Sequence, residues 1–286
     1  MKHSRREFVV GGAAVVAGLA TPLMAQKRIP VALELFSLRA EAGKDLPGTL
    51  AEIKKMGYDG IELVCEKGGL VSNEVLWGRP FKDVAAMVKD HGLKVYSMHH
   101  GFGLFADGQI ERTIEINQMV GNTNLICSWL NPSNTIAPWY EHARDFNAIQ
   151  AKLQKYGMNV GLHNHNAELQ PVDGKLPWDV FMDNTVRGVT GQMHLAWFPE
   201  FGLDPVAYIR KYPGRSRTLQ LNDWAPVGGQ AVLLGEGQID WKVLFAAAES
   251  VGGIEAYVIE QESYPAGMTP LEACRRCLEN YRKLHE

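Results

Sequence analysis

Eight short runs of strand-forming residues, spaced about one strand–helix unit apart, constrain this chain more than any other feature. They begin at Val31, Gly60, Lys94, Asn124, Asn159, Gly191, Thr218 and Ala256. Successive starts thus recur at roughly 30 residues, the length of one βα unit. Each run is nearly continuous in apolar residues rather than alternating, which is the pattern of a parallel strand covered on both faces. Between them lie segments with apolar residues at three- and four-residue spacing, among them Leu50 to Met56, Phe81 to Val88, Trp139 to Tyr156, Asp240 to Ala248 and Thr269 to His285. Met56-Gly57 and His91-Gly92 read as helix C-caps. Eight such units predict an α/β fold, a single-domain (β/α)8 TIM barrel. An open doubly wound sheet is the competitor, but no G-x-G-x-x-G follows the first run, and Gly101-Phe-Gly-Leu-Phe-Ala fails that pattern.

Length agrees, since a chain of 286 residues accommodates one barrel of about 250. No linker, low-complexity tract or composition shift marks a second domain. The N-terminal segment reads differently. Arg5-Arg6 precedes a short apolar stretch, Val9 to Leu19, and then Met24-Ala25-Gln26. Paired arginines, a modest apolar region and an alanine before a polar residue predict a twin-arginine export signal over 1–25 and a barrel over 26–286. The apolar stretch is shorter than the ~20 residues that span a bilayer, so no stable membrane anchor is expected after cleavage. A periplasmic location follows, and because this route carries folded proteins, so does a site already loaded.

The formal net charge is −3, which offers no basic face for nucleic acid. Four cysteines are few, and Cys274 and Cys277, three apart in a helical pattern, read as ordinary helix residues.

In a barrel the chemistry sits at the C-terminal strand ends. There the sequence places Glu62, His99-His100, His163-Asn-His165, Glu168, His194, Gln220, Asn222-Asp223 and Glu260-Gln-Glu262. Acids and imidazoles at a buried rim need partners or a metal, because an unpaired buried carboxylate costs several kcal/mol. Only one of the adjacent His99 and His100 can face the mouth if the strand continues through both. Trp129, Trp197 and Trp224 follow strand ends, where an aromatic face can stack on a sugar or simply pack. Glu62 can also pair with Arg39, and Asp240 reads as the cap of the helix that follows it.

With these residues in view, the chain resembles the xylose-isomerase-like TIM barrels, the sugar isomerase/epimerase superfamily. The motifs that carry the resemblance are Phe36-Ser-Leu-Arg39, Gly57-Tyr-Asp-Gly-Ile-Glu-Leu63, His163-Asn-His-Asn-Ala-Glu168, Gly202-Leu-Asp-Pro205, Leu221-Asn-Asp-Trp224, Gly235-Glu-Gly-Gln-Ile-Asp-Trp241 and Val258-Ile-Glu-Gln261. The resemblance implies one divalent metal ion (Mn, Co, Mg or Zn) held by Glu168, His194, Gln220 and Glu260. Glu168 and Glu260 match the family's glutamates, whereas His194 stands where an aspartate is expected and Gln220 where a histidine is. That ligand set carries two negative charges instead of three, so a bound ion would withdraw electrons more strongly from a substrate oxygen.

The same resemblance implies catalysis by Glu168 and Glu260, with substrate contacts from Glu62, His99, His100, His163, His165, Trp197 and Asp223. One glutamate takes a proton next to a metal-bound carbonyl, giving an enediolate. Return of the proton then completes an isomerisation or epimerisation. The expected partner is a small, non-phosphorylated sugar or keto-sugar, since no Lys/Arg-rich phosphate loop stands out. A 3-keto-glycoside lyase or hydrolase shares the first step, and a non-catalytic exported sugar-binding protein remains an alternative. A metal-dependent DNA-repair endonuclease would need a basic face that the sequence lacks. A homo-oligomer is compatible with all of these readings.

Overall fold

The computed structural model describes residues 28–64 and 75–285. The eight runs form eight parallel strands: β1 (Val31–Glu34), β2 (Gly60–Leu63), β3 (Lys94–Gly101), β4 (Asn124–Trp129), β5 (Asn159–His163), β6 (Thr190–Gln192), β7 (Thr218–Leu221) and β8 (Ala256–Ile259). Their order in the sheet is β6-β5-β4-β3-β2-β1-β8-β7. Between β6 and β7 the ring is joined by a single bridge, His194 opposite Gln220. Gln220 N–H donates to Met193 O at 3.0 Å and Leu195 N–H to Gln220 O at 3.3 Å. The structure is therefore the expected (β/α)8 barrel, nearly closed, with helices between the strands. The expected signal over 1–25 and Cys65 lie outside the described residues.

The local chemistry of the elements follows the sequence. Helix Leu46–Met56 starts with Asp45, whose side chain accepts from Gly48 N–H, and stops at Gly57, whose φ of 96° suits only glycine without strain. Asp240 caps helix Trp241–Ala247 by accepting from Val243 N–H. The stretch expected as one helix over 139–156 is an α-helix at Ala137–Leu153 that tightens into a last 3-10 turn. Cys274 and Cys277 are buried and unpaired on helix Pro270–His285. Among the described residues no helix is long and apolar enough to cross a membrane.

One run departs from expectation. The sixth continues in sequence through Leu195, yet β6 ends at Gln192. Two side-chain amides take over the backbone donors beyond it. Asn164 Oδ1 accepts from His194 N–H at 3.0 Å and Asn222 Oδ1 from Ala196 N–H at 2.8 Å. The N–H groups are satisfied, but not by a neighbouring strand, so the ladder stops.

Side chains alternate between the helix layer and the barrel interior. Leu33, Ile61, Leu125, Leu162 and Leu219 face the helices and are wholly buried with Trp139, Trp178 and Phe181. The opposite faces are small toward the strand starts, with Ala32, Gly60, Gly161, Thr218 and Ala256. A Cβ on Gly161 would meet Thr190 Oγ1 at 2.5 Å and Ile126 Cδ1 at 2.7 Å, so the interior is filled there. Two residues further along the same strand faces come Glu34, Glu62, His163 and Gln220, and Glu260 follows β8. The alternation thus delivers a polar cluster to one end of the barrel.

Candidate active site at the barrel mouth

Glu34 and Glu62 are cross-strand partners on β1 and β2, and His194 and Gln220 are partners across the β6–β7 seam. All four are almost completely buried. The Gln220 amide donates to Glu34 Oε2 at 2.7 Å and to Glu62 Oε1 at 2.6 Å. Gln192 donates to Glu62 Oε2 at 2.5 Å and to Thr218 Oγ1 at 3.0 Å, and Ser97 Oγ–H also donates to Glu62. Every Glu62 oxygen is thereby met by a neutral donor, which is what a buried carboxylate requires. It does not pair with Arg39, whose guanidinium lies 4.3 Å over the Phe36 ring and donates to Phe36 O.

Gln192 also fixes the imidazole opposite it. Its NH2 is committed to Glu62 and Thr218, so its Oε1 can only accept, and His99 Nε2, 2.7 Å away, must carry the hydrogen. The other nitrogen, His99 Nδ1, faces Glu34 Oε1 at 3.4 Å. His100 points the other way. It is fully buried outside the barrel, bonded to Asn117 Nδ2 at 3.1 Å, and burial lowers its pKa to about 3. The expected substrate contact therefore falls to His99 and not to His100, because the pleat of β3 separates them.

Two acids define the electrostatics. Burial, then the negative charge of Glu260, pushes the Glu34 carboxyl well above its ordinary value, toward the protonated form. Glu260 moves the opposite way. Burial alone would raise it, but the Glu34 hydrogen bond and His194 hold it below its ordinary value. His194 is raised in turn, since the Glu260 contact outweighs its own burial. Glu262 is lifted to about 7, first by the charge of Glu260 and then by burial. Such a spread of neighbouring acids is typical of functional sites.

Among the four expected metal ligands, His194 and Glu260 meet, with Nδ1 3.1 Å from Oε2. The contact does not line up as a hydrogen bond and leaves the buried Nδ1 without a partner in that sense. Gln220 Oε1 is likewise buried and unpartnered. The Gln220 oxygen and the His194 nitrogen, both without hydrogen bonds, and the Glu260 carboxylate, which accepts from Asn222 Nδ2 at 3.3 Å, follow one another on adjacent strand ends and suit a divalent cation as donors. Glu168 is anchored by the backbone. It is buried, its Oε2 accepts from His165 N–H at 2.8 Å, and burial raises its pKa. Among the described residues, the acids and imidazoles that bring three ligand atoms within 4.8 Å of one another are a different trio, Glu34, Glu62 and His99.

His163 lies against His99, His165 and His194 with ring centroids 4.9, 4.7 and 5.6 Å apart. Burial and then the neighbouring imidazoles push its pKa well down, and burial brings His165 to about 4, so both are neutral at physiological pH. Trp197 is half-buried between His194 and Phe201. Asp223, expected at the substrate, is not there. It is fully buried and accepts from the backbone N–H of Trp224, Gly235, Gly237 and Ile239 and from Trp241 Nε1, at 2.9 to 3.4 Å. A Cβ on Gly237 would collide with Asp223 Oδ1, so only glycine lets the backbone come this close. Asp223 is thus the anchor of the loop 224–240, which carries Gln230 to His194 Nε2 at 3.3 Å.

Sequence reading missed Glu34, Ser97 and Gln192, and it placed Asn164 and Asn222 at the strand ends without a role. The usable signal was a polar residue inside an otherwise apolar run, which Glu34 and Gln192 both display.

No family model matches the sequence and no curated protein does. Solved structures do. The chain is similar to a sugar phosphate isomerase/epimerase from Parabacteroides distasonis ATCC 8503, at TM-score 0.75 and 22% identity, over 91% of this chain and 96% of that one. It is also similar to 3-keto-D-glucoside 4-epimerase from E. coli, at TM-score 0.64 and 17% identity, over 90% and 100%. A third is a xylose isomerase-like TIM barrel fused to a 4-hydroxyphenylpyruvate dioxygenase, at TM-score 0.67 and 15% identity, over 91% of this chain and 43% of the fusion. The fold is that of the xylose-isomerase-like TIM barrels.

Proposed function

We propose that this chain is a sugar isomerase or epimerase that moves a proton at the carbon next to a carbonyl of a non-phosphorylated sugar or keto-sugar. The observation that carries the reading is the buried cluster of Glu34, His194, Gln220 and Glu260 at the strand ends, in which burial and the Glu260 charge push Glu34 up while the Glu34 hydrogen bond and His194 hold Glu260 down. Proton transfer between adjacent carbons needs such an acid and base in one place. Glu260 accepts a proton, Glu34 holds one to return, and Glu168, raised by burial, is the second base on the β5 side. The neutral His163 and His165 offer one donor and one acceptor each to sugar hydroxyls. The likeness of the fold to a sugar phosphate isomerase/epimerase and to a 3-keto-D-glucoside 4-epimerase supports the reading.

Gln220 Oε1, His194 Nδ1 and Glu260 would hold a divalent metal ion, Mn, Co, Mg or Zn. Such an ion would supply Lewis acidity toward a substrate carbonyl, which would make the neighbouring C–H more acidic.

The test is incubation with candidate sugars in D2O, with and without Mn or Co. Deuterium is expected at the carbon next to the carbonyl, in a recovered sugar of otherwise unchanged mass, with loss of exchange after chelation. Release of an alcohol or second sugar would move the assignment to a keto-glycoside lyase or hydrolase. Binding of sugar without exchange would leave a binding protein.

Residues 1–25, by this reading, direct the chain through the twin-arginine route to the periplasm. Replacing Arg5 and Arg6 with lysine is expected to retain precursor in the cytoplasm. Normal processing of the double mutant would rule that route out.

A further inference from the structure

The mouth has two unlike walls. On the side of β1 and β8 stand Glu34, Glu260 and Glu262. On the side of β4 to β6 stands an unbroken row of five rings. Trp129 meets His165 at 4.9 Å, His165 meets His163 at 4.7 Å, His163 meets His194 at 5.6 Å and His194 meets Trp197 at 5.8 Å between centroids. A sugar ring is amphipathic in the same sense, with C–H groups on its faces and hydroxyls at its edge, so it suits a cleft with one aromatic and one acidic wall. The row extends through four successive ring contacts from Trp129 to Trp197.

The two ends of the row differ. Trp197 is half-buried and its face is already stacked on Phe201, 6.2 Å away at 25°. Trp129, the last residue of β4, is 44% exposed. His165 holds it by an edge at 62°, and among the described residues no other ring packs on it. A half-exposed aromatic side chain at the rim, fixed by one T-shaped contact and with no further ring of the described residues against it, is suited to stacking on a ligand ring.

We propose that the site takes a two-ring glycoside. The reacting ring lies between His163 and the Glu34–Glu260 pair, and the second sugar ring stacks on Trp129. The proposal rests on the sugar chemistry proposed above and narrows its substrate class from free monosaccharides to disaccharides.

The experiment is calorimetric binding of cellobiose, trehalose and their 3-keto derivatives, against glucose and 3-keto-glucose, to the whole protein and to Trp129→Ala and Trp129→Phe. At least one two-ring probe is expected to bind about five- to tenfold more tightly than its one-ring counterpart. Trp129→Ala should erase that preference and leave one-ring binding within about twofold, while Trp129→Phe retains most of it. Equal binding of one- and two-ring probes, equal weakening of both by Trp129→Ala, or no binding of any probe would overturn the proposal. Its failure is distinct from failure of the chemistry. A Trp129-dependent preference without deuterium exchange keeps the subsite and removes the isomerase reading, whereas exchange on monosaccharides without the preference does the reverse.

Discussion

Glu260→Gln is expected to lower turnover by about 10²–10⁴-fold, the usual contribution of a positioned general base or acid. Glutamine keeps the size of the side chain and one oxygen, but it cannot take a proton. It also removes the negative charge that pushes Glu34 toward the protonated form and holds His194 above its ordinary value. The assay should be run at saturating Mn or Co, so that a weakened metal site is not read as a lost base. Thermal unfolding of the same sample separates catalysis from folding. Activity within tenfold of the unaltered protein at saturating metal would take Glu260 out of the chemistry and leave Glu168 as the sole base.

Asp223→Ala has the largest expected effect on stability, about 3–5 kcal/mol, comparable to breaking a buried charged pair by removing one partner. Four backbone N–H groups and the Trp241 indole lose their acceptor together. The loop over 224–240 then has nothing to fold around, so Gln230 should leave His194 and turnover should fall with stability. Urea denaturation followed by tryptophan fluorescence gives the number. A loss below about 1 kcal/mol would mean that water replaces the carboxylate without cost. Asp223→Asn should fall between, because one of its two acceptors becomes a donor facing donors.

The barrel was legible because strand positions are set by local composition. Runs of apolar residues at Val31, Gly60, Lys94, Asn124, Asn159, Thr218 and Ala256 open strands at those residues. The sixth strand was misjudged in length because its end depends on Asn164 and Asn222, side chains from two other units. The site was legible in part for the same kind of reason. His194 and Glu260 sit at strand ends with their neighbours close in sequence, and the structure brings them together. Glu168 was placed on the metal from its motif, and the sequence did not show that the backbone N–H of His165 holds one of its two oxygens. Asp223 sits in a motif that looks like a rim acid, and only the path of the loop that returns to Trp241 shows what it holds. Glu34 lay in plain view within the first run. Its role emerges from the charge of Glu260, which the chain supplies only with its last strand.

The seam between β6 and β7 has a consequence for how such a barrel changes over generations. Elsewhere the ring is stitched by backbone pairing, which no single substitution can rewrite. Here the backbone makes only one bridge, and side chains do the rest: the Asn222 amide holds Ala196 N–H across the seam, and the Asn164 amide holds His194 N–H from the β5 side. One codon can alter either fastening, and the residues it releases are those that frame the site. A barrel with its one sewn seam beside its reactive groups can therefore vary its chemistry in small inherited steps while the other seven joints hold the fold.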